Sequence, residues 1–310
     1  MDQTGGAPNS RADAQLLKPA ASQHIVDVLI EERARHLRSH PAAWFLIQRL
    51  LYPLLRYRAA IKMADAIASL PGRQVFTQVA EDLRLKLEIE GLEHVPREGP
   101  CMIVANHPTG IVDGIALFQA LKGVRDDVCF VANRDALRVS PGLADNVIPV
   151  EWVIEKRTLA KTREMWRLTR AAFERGKAVV MFPSGRVARL KGFKLVDREW
   201  QSASLAFATR NNAPIIPLHI SAWNSWIYYF FSRTSPELRD MTLFNELLNK
   251  RGRTFGLKFA PAIPPTDLAG DPEQEIIRLR NFIEAGLRQG ARWGGTNQLQ
   301  FARHGSTGSP

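Results

Sequence analysis

From Leu83 onward, short apolar runs bounded by turn residues alternate with longer stretches of helical character, and this alternation constrains the fold more than any other feature of the chain. Leu85-Lys-Leu-Glu-Ile-Glu90 alternates apolar and polar residues with a period of two and turns at Gly91. Further strand-like runs cover 102–105, 128–132, 147–150, 178–182, 215–220 and 255–259. Helical stretches fall at 111–120, 159–175 (stopping at Gly176), 199–211 and 271–288, the last opening on Asp271-Pro272. Strands interleaved with helices predict an α/β layer fold, a mixed sheet flanked by helices. The segment 22–82 reads instead as helices broken near His40-Pro41, Pro53 and Pro71-Gly72. The organisation is then a disordered N-terminus at 1–21, a helical segment at 22–82, an α/β domain at 83–289 and a disordered tail at 290–310. With 45 % hydrophobic residues, 310 positions can bury one large core or two modest ones.

The turn after the run at 102–105 carries the most pointed chemistry. Residues 101–116 read Cys-Met-Ile-Val-Ala-Asn-His-Pro-Thr-Gly-Ile-Val-Asp-Gly-Ile-Ala. The run delivers Asn106 and His107 to a Pro-Thr-Gly turn, and Asp113 follows within the first turn or two of the next helix. A histidine at a strand end with a carboxylate a few residues later is a compact general-base unit. The aspartate accepts from one ring nitrogen and stabilises the imidazolium, while the other nitrogen takes a proton from a hydroxyl. A turn histidine with satisfied hydrogen bonds is the competing reading of the His-Pro step alone.

Three segments together resemble the glycerolipid acyltransferase family, which includes the lysophosphatidic acid acyltransferases. Asn106-His107-Pro-Thr-Gly-Ile-Val-Asp113-Gly114 resembles the family's first motif. Val179-Val-Met-Phe182-Pro183-Ser184-Gly185-Arg186 resembles the third, usually Phe-Pro-Glu-Gly-Thr-Arg, and Pro214-Ile-Ile-Pro217-Leu-His219 the fourth. The resemblance implies transfer of a fatty-acyl group from a thioester, acyl-CoA or acyl carrier protein, to a hydroxyl of a lysolipid, with no bound cofactor and no metal. It implies His107 as the base and Asp113 as its partner, with Asn106, Arg134, Phe182, Pro183, Ser184, Gly185 and Arg186 around the substrates. Arg134 falls where the family often carries a lysine. Arg186 is the candidate grip on an acceptor phosphate or carboxylate, with Arg189 and Lys191 behind it reading as a solvated basic loop. Backbone N–H groups near Gly185 are the candidate oxyanion donors.

The departures from the family pattern fall on the acceptor-binding parts. Five residues, Pro108 to Val112, separate His107 from Asp113 where four are usual, and Gly110 is expected to absorb the extra one. Ser184 replaces a glutamate, and Arg186 sits one position early. In place of a clean second motif, Val147-Ile-Pro-Val150 is followed by Glu151 and Trp152, with Lys156 and Arg157 the nearest cations. The acceptor, a glycerolipid or an aminolipid, is therefore left open. As a nucleophile Ser184 has nothing nearby in sequence to activate it, and the chain lacks a Gly-x-Ser-x-Gly elbow. His219, inside an apolar strand, reads as a core histidine.

The net charge of +11 is unevenly placed. Arg33, Arg35, Arg38, Arg49, Arg56, Arg58 and Lys62 occur in a stretch without Asp or Glu, interleaved with Trp44, Phe45, Leu46, Leu50, Leu54 and other apolar residues. Two arrangements fit: a helix lying in the interface of an anionic membrane, or a helix packed on the core with a solvated basic face. Pro53 is expected to kink or divide it. The cluster from Trp223 to Phe231 reads either as core or as a loop facing lipid or the acyl chain. There is no nucleic-acid-binding signature, no signal peptide and no uncharged apolar run of about eighteen residues. Cys101 and Cys129 read as buried free thiols, which fits a reducing compartment. The expectation is a monomer or weak oligomer attached peripherally to the cytoplasmic side of a membrane. A lipid hydrolase or thioesterase using the same His-Asp pair, and a lipid-binding protein with a decayed site, are the alternatives.

Overall fold

The expected strands meet in one seven-stranded sheet in the computed structural model, which describes residues 23–151, 156–294 and 300–301. In chain order the strands are β1 (Lys86–Glu90), β2 (Cys101–Ala105), β3 (Val128–Asn133), β4 (Val147–Val150), β5 (Ala178–Met181), a separate hairpin β6 (Arg189–Lys191) and β7 (Lys194–Val196), β8 (Ile215–Ser221) and β9 (Thr254–Phe259). The sheet order is β1-β9-β8-β2-β5-β3-β4. β8 and β9 pair antiparallel and the other neighbours are parallel, so the sheet is mixed, as the sequence predicts.

The helices preceding the sheet are α1 (Ile25–Arg33), α2 (Arg35–Arg38), α3 (Pro41–Leu54), α4 (Tyr57–Ile67) and α5 (Gly72–Leu83). Those within it are α6 (Ile111–Leu121), α7 (Asp135–Val139), α8 (Leu159–Glu174), α9 (Ala203–Arg210), α10 (Trp226–Thr234), α11 (Pro236–Met241), α12 (Leu243–Leu248) and α13 (Pro272–Asn281). β2 lies near the middle and is buried throughout. Its odd-numbered residues Cys101, Ile103 and Ala105 join the core under α5 and α6, where Phe76 stacks on Phe118 and Phe130 at 4.9 Å. Met102 and Val104 join the opposite core under α8, α9 and α13, with Phe207 and Leu279. Burial on both faces is why the run at 102–105 is apolar without alternation.

The N-terminal helices resolve into two parts. α1 and α4 pack through Val26, Ile30, Ala60 and Ala64 against Met241, Leu238 and Phe244 of α11 and α12, so this part is attached to the α/β domain. α3 buries no residue and exposes Phe45, Leu46, Leu50 and Leu54, each by more than half. Pro53 does not divide the segment. It sits in the last turn of α3, and the break comes at Arg56, whose left-handed backbone (φ 56°) redirects the chain into α4. The proline costs the helix its bond to the Arg49 carbonyl, and α3 ends one residue later.

Three other expectations change. Residues 223–231 are neither wholly core nor loop, since most of them form α10, with Tyr228 and Tyr229 buried and Trp226 and Phe230 exposed. The tail is not disordered from 290: residues 291 and 292 pair with 301 and 300, and Trp293 packs edge-on to Phe282 with the Arg278 guanidinium 4.0 Å above it. The helix starting at Pro272 passes into a π-helical turn at Phe282–Gly286 before Gly290 ends it with a positive φ. The segment 1–21 and residue Trp152 lie outside the described residues. Both cysteines are free and buried, and burial pushes the Cys101 thiol up to about 11. His219 is also buried, which pushes it down to about 4, with Arg288 contributing, so it is a neutral core histidine at neutral pH.

Candidate active site

β2 and β5 run parallel with Val104 opposite Met181, so the residues following each strand emerge side by side at the carboxyl edge of the sheet. That edge is where parallel α/β sheets expose loops to ligands. There the His107 ring stacks on Phe182, with centroids 4.2 Å apart and planes 26° from parallel. His107 Nδ1 lies 3.0 Å from Asp113 Oδ2. The separation is that of a hydrogen bond, but the geometry of one is not met, so the pair is a close approach. Asp113 is fully buried and the His107 side chain is 17 % exposed, which leaves the histidine as the open member of the pair.

Asp113 also builds the turn that presents the histidine. It occupies the third position of α6 and reaches back to accept from the Thr109 N–H (2.9 Å), the Gly110 N–H (3.0 Å) and the Thr109 hydroxyl. These are donors that a helix N-terminus otherwise leaves unpaired. Gly110 absorbs the extra residue: its φ of 89° with ψ of −129° is backbone open to glycine alone, and a Cβ there would meet Val187 Cγ2 at 3.1 Å.

Asn106 faces the sheet. Its Nδ2 donates to the Ile220 carbonyl (2.9 Å) and its Oδ1 accepts from the Ile220 N–H (2.7 Å), pinning the end of β2 to β8. With both ends of the amide engaged on Ile220, Asn106 fixes the end of the strand that delivers His107.

The residue that local sequence reasoning missed is Asp197, just past β7. Both its carboxylate oxygens accept from the His107 N–H at 3.1 Å, and Oδ2 accepts from Trp200 Nε1 at 2.9 Å. The His107 carbonyl accepts from the Ala188 N–H at 2.8 Å, so the histidine's backbone is held on both sides. Burial, then the nearby Glu284 carboxylate, push Asp197 up to about 7. Glu284 accepts from the Asp197 N–H at 2.6 Å and from Arg280 Nε at 3.0 Å. An aspartate between Val196 and the cation Arg198 carries no local mark of this role, because its partner stands 90 positions earlier.

The Phe182-Pro183-Ser184-Gly185 segment closes a turn, with the Gly185 N–H donating to the Phe182 carbonyl at 2.9 Å. That N–H is therefore spent and is not an oxyanion donor. The Ser184 hydroxyl donates to the Arg186 carbonyl at 2.9 Å, and Ser184 and Pro183 are buried, so the serine has a structural partner and no base. Arg186 is exposed. Burial first, and then the like charges of Arg189, Arg186 and Arg239, weaken the Arg198 hold on its proton. Arg198 Nε is buried without a partner, while Arg239 pairs with Asp240 at 2.6 Å. Cations that repel one another in this way suit an anion. Arg134 is not part of this group: it follows β3, two strands from β2, and pairs with Glu164. In the region of the unclean second motif, Lys161 reaches Glu151 at 2.8 Å and Lys156 reaches Glu32 at 3.5 Å. A cleft of about 420 Å³ beside Arg97, Arg125 and Arg175 lies at the opposite, amino edge of the strands, away from His107.

Comparison with known proteins finds the following likenesses. The family model described as Acyltransferase matches residues 86–221, from β1 to the end of β8. A lyso-glycine lipid O-acyltransferase of Phocaeicola vulgatus is 31 % identical over 191 residues, which is 59 % of this chain and 66 % of that protein. Its namesake in Bacteroides thetaiotaomicron is 27 % identical over 190 residues, 59 % of this chain and 68 % of that one. The matched region thus spans about two thirds of the length of these relatives. The crystal structure of the 1-acyl-sn-glycerophosphate acyltransferase PlsC from Thermotoga maritima aligns with a TM-score of 0.47 and 16 % identity, over 86 % of this chain and 97 % of that one.

Proposed function

We propose that the chain is a member of the glycerolipid acyltransferase family and that it moves a fatty-acyl group from an acyl thioester to a hydroxyl of a lysolipid, with His107 as the general base. The observation that carries this reading is the His107 ring, part-open, stacked on Phe182 and backed by the buried Asp113 at 3.0 Å.

The chemistry follows from that geometry. Asp113 faces Nδ1, so the other ring nitrogen takes the proton of the acceptor hydroxyl as its oxygen attacks the thioester carbonyl. The tetrahedral intermediate then collapses, the C–S bond breaks, and the thiolate leaves with the proton from the imidazolium. Asp113 stabilises that transient cation, and a positioned base of this kind contributes about 10²- to 10⁴-fold in rate. The thioester is already activated, so no covalent acyl-enzyme is needed, in keeping with the structural engagement of Ser184.

Substrate classes follow from charge. The Arg186, Arg189, Arg198 and Arg239 group supports an acceptor with an anionic head, and the relatives' names supply one example, a lyso-glycine lipid. Acyl-CoA and acyl carrier protein are both anionic donors that the basic surface would accept. Attachment to the membrane is peripheral in this reading: no helix among the described residues is long and apolar enough to cross one, and α3 offers an exposed apolar row. The two unpaired buried thiols favour the cytoplasmic face.

The test supplies a fatty-acyl thioester to the purified full-length chain with and without lysolipid. Lysolipid-dependent formation of the diacyl product is expected, with at least about a 10²-fold loss in a folded His107→Ala variant. Free fatty acid released at the same rate without acceptor would make the chain a thioesterase. Lipid binding without turnover would make it a lipid-binding protein, and full turnover in His107→Ala would end the general-base role.

A further inference from the structure

The β6–β7 hairpin ends in a two-residue turn, Gly192-Phe193, and the Phe193 side chain is 98 % exposed. The residues flanking the turn, Lys191 and Lys194, lie directly opposite each other and are both exposed. In water this tip is doubly unfavourable, since like charges across a strand pair repel and a bare phenyl ring stays hydrated. Both costs vanish against a surface that is negatively charged and apolar just below the charge.

The neighbouring helix repeats the pattern. Trp226 and Phe230, one turn apart on α10, are 75 % and 54 % exposed; Arg233 is exposed on the next turn, and Trp223, just before the helix, is 55 % exposed. α10 touches β6, so hairpin and helix adjoin. The opposite side of α10 is anchored: Tyr228 and Tyr229 are buried, and the capping Ser225 is held through its N–H (2.8 Å) and hydroxyl by Glu246, itself paired with the buried Lys250. The exposed aromatics are thus presented on a fixed support. Asn224 links this support to the catalytic turn by donating to the Pro108 carbonyl. Ile111, four residues past His107, is 54 % exposed.

We propose that the β6–β7 tip and the outer face of α10 form a bilayer-docking surface of the catalytic domain itself, with Phe193, Trp226 and Phe230 entering the interface of an anionic membrane and Lys191, Lys194 and Arg233 meeting its headgroups. Aromatic rings at the acyl boundary with cations above them are what such an interface selects. The occupant is a lipid surface and not an acidic protein, because the exposed groups are large aromatics as well as cations. This surface is separate from α3 and would hold the mouth of the His107 site against the membrane. It deepens the reading of a membrane-lipid acceptor, but its test measures attachment and not turnover, so either can fail alone.

Because Cys101 and Cys129 are buried, Phe193→Cys in the full-length chain can be labelled selectively with an environment-sensitive fluorophore. Vesicles of phosphatidylglycerol should blue-shift the label and expose it to a lipid-borne quencher, and phosphatidylcholine vesicles should do so far less. The same label on Glu98→Cys, at the amino edge of the sheet, should not respond. In sedimentation, Phe193→Ser combined with Lys194→Glu should weaken phosphatidylglycerol binding by about tenfold. A chain that pellets with the vesicles while the label at 193 stays in water would assign attachment to α3 alone and overturn the proposal. So would absence of vesicle binding, equal response to both lipids, or a label that responds to acyl carrier protein and not to vesicles.

Discussion

Asp197→Asn probes the support beneath His107. Asp197 is 4 % exposed, and burial, followed by Glu284, raises its pKa from 3.8 to about 7. A carboxyl that holds its proton more tightly folded than unfolded makes stability fall as pH rises between those two values, and the loss stays in full above the upper one. A rise of about three pH units corresponds to about 4 kcal/mol. Asparagine removes the titration. Its single acceptor oxygen serves the His107 N–H and Trp200 Nε1 less well, but that cost does not vary with pH. Variant stability minus wild-type stability should therefore climb by about 2 to 3 kcal/mol from pH 5 to pH 8. His219 acts in the opposite sense: pushed down to about 4 by burial first, it makes the protein gain stability as pH rises towards 6.5, and because both proteins carry it, it cancels in the difference. Urea unfolding of both proteins at pH 5, 6, 7 and 8 with unchanged m-values is the assay. A difference constant to within about 0.5 kcal/mol across that range would refute the argument, since it would mean that Asp197 titrates alike in both states.

Gly110→Ala should cost about 1–3 kcal/mol, because φ of 89° strains any side chain there and the new Cβ meets Val187, and a thermal melt indistinguishable from wild type would contradict this. Asp113→Asn should destabilise by about 1–3 kcal/mol, since a single amide oxygen cannot accept from the Thr109 N–H, the Thr109 hydroxyl and the Gly110 N–H together, and turnover should fall by about 10²-fold or more; steady-state kinetics with retained turnover would reject the pairing. Arg198→Gln should raise KM about tenfold for a lysolipid with an anionic head and leave that for a neutral head little changed, and equal effects on the two would remove Arg198 from the acceptor site.

Much of the fold was legible because its signals are local. The runs at 102–105 and 178–182 are apolar since both faces of β2 and β5 are covered, and a chain shows that without knowing its neighbours. His107, Gly110 and Asp113 were legible for a similar reason: they act within one turn and the helix it starts, so their spacing in sequence is their spacing in space. The α10 aromatics were visible but not their direction, because burial of Tyr228 and exposure of Trp226 depend on what packs beneath the helix. The same holds for α1 and α4, whose partners Leu238, Met241 and Phe244 lie nearly two hundred residues away in the chain.

The alternating elements, the mixed α/β layer and the His107–Asp113 unit rest on periodicities and spacings of a few residues, and the chain states these locally. Tertiary structure alone decided that Phe182 lies under the histidine, that Asn106 is spent on Ile220, and that Asp197 carries the His107 backbone. It also drew Arg198 and Arg239 to the side of Arg186. Those contacts follow from the parallel pairing of β2 with β5 and β8, which sets strand ends together across gaps of about 80 to 115 residues. Pairing of that kind is chosen by the burial of a whole sheet and not by any residue's neighbours in the chain.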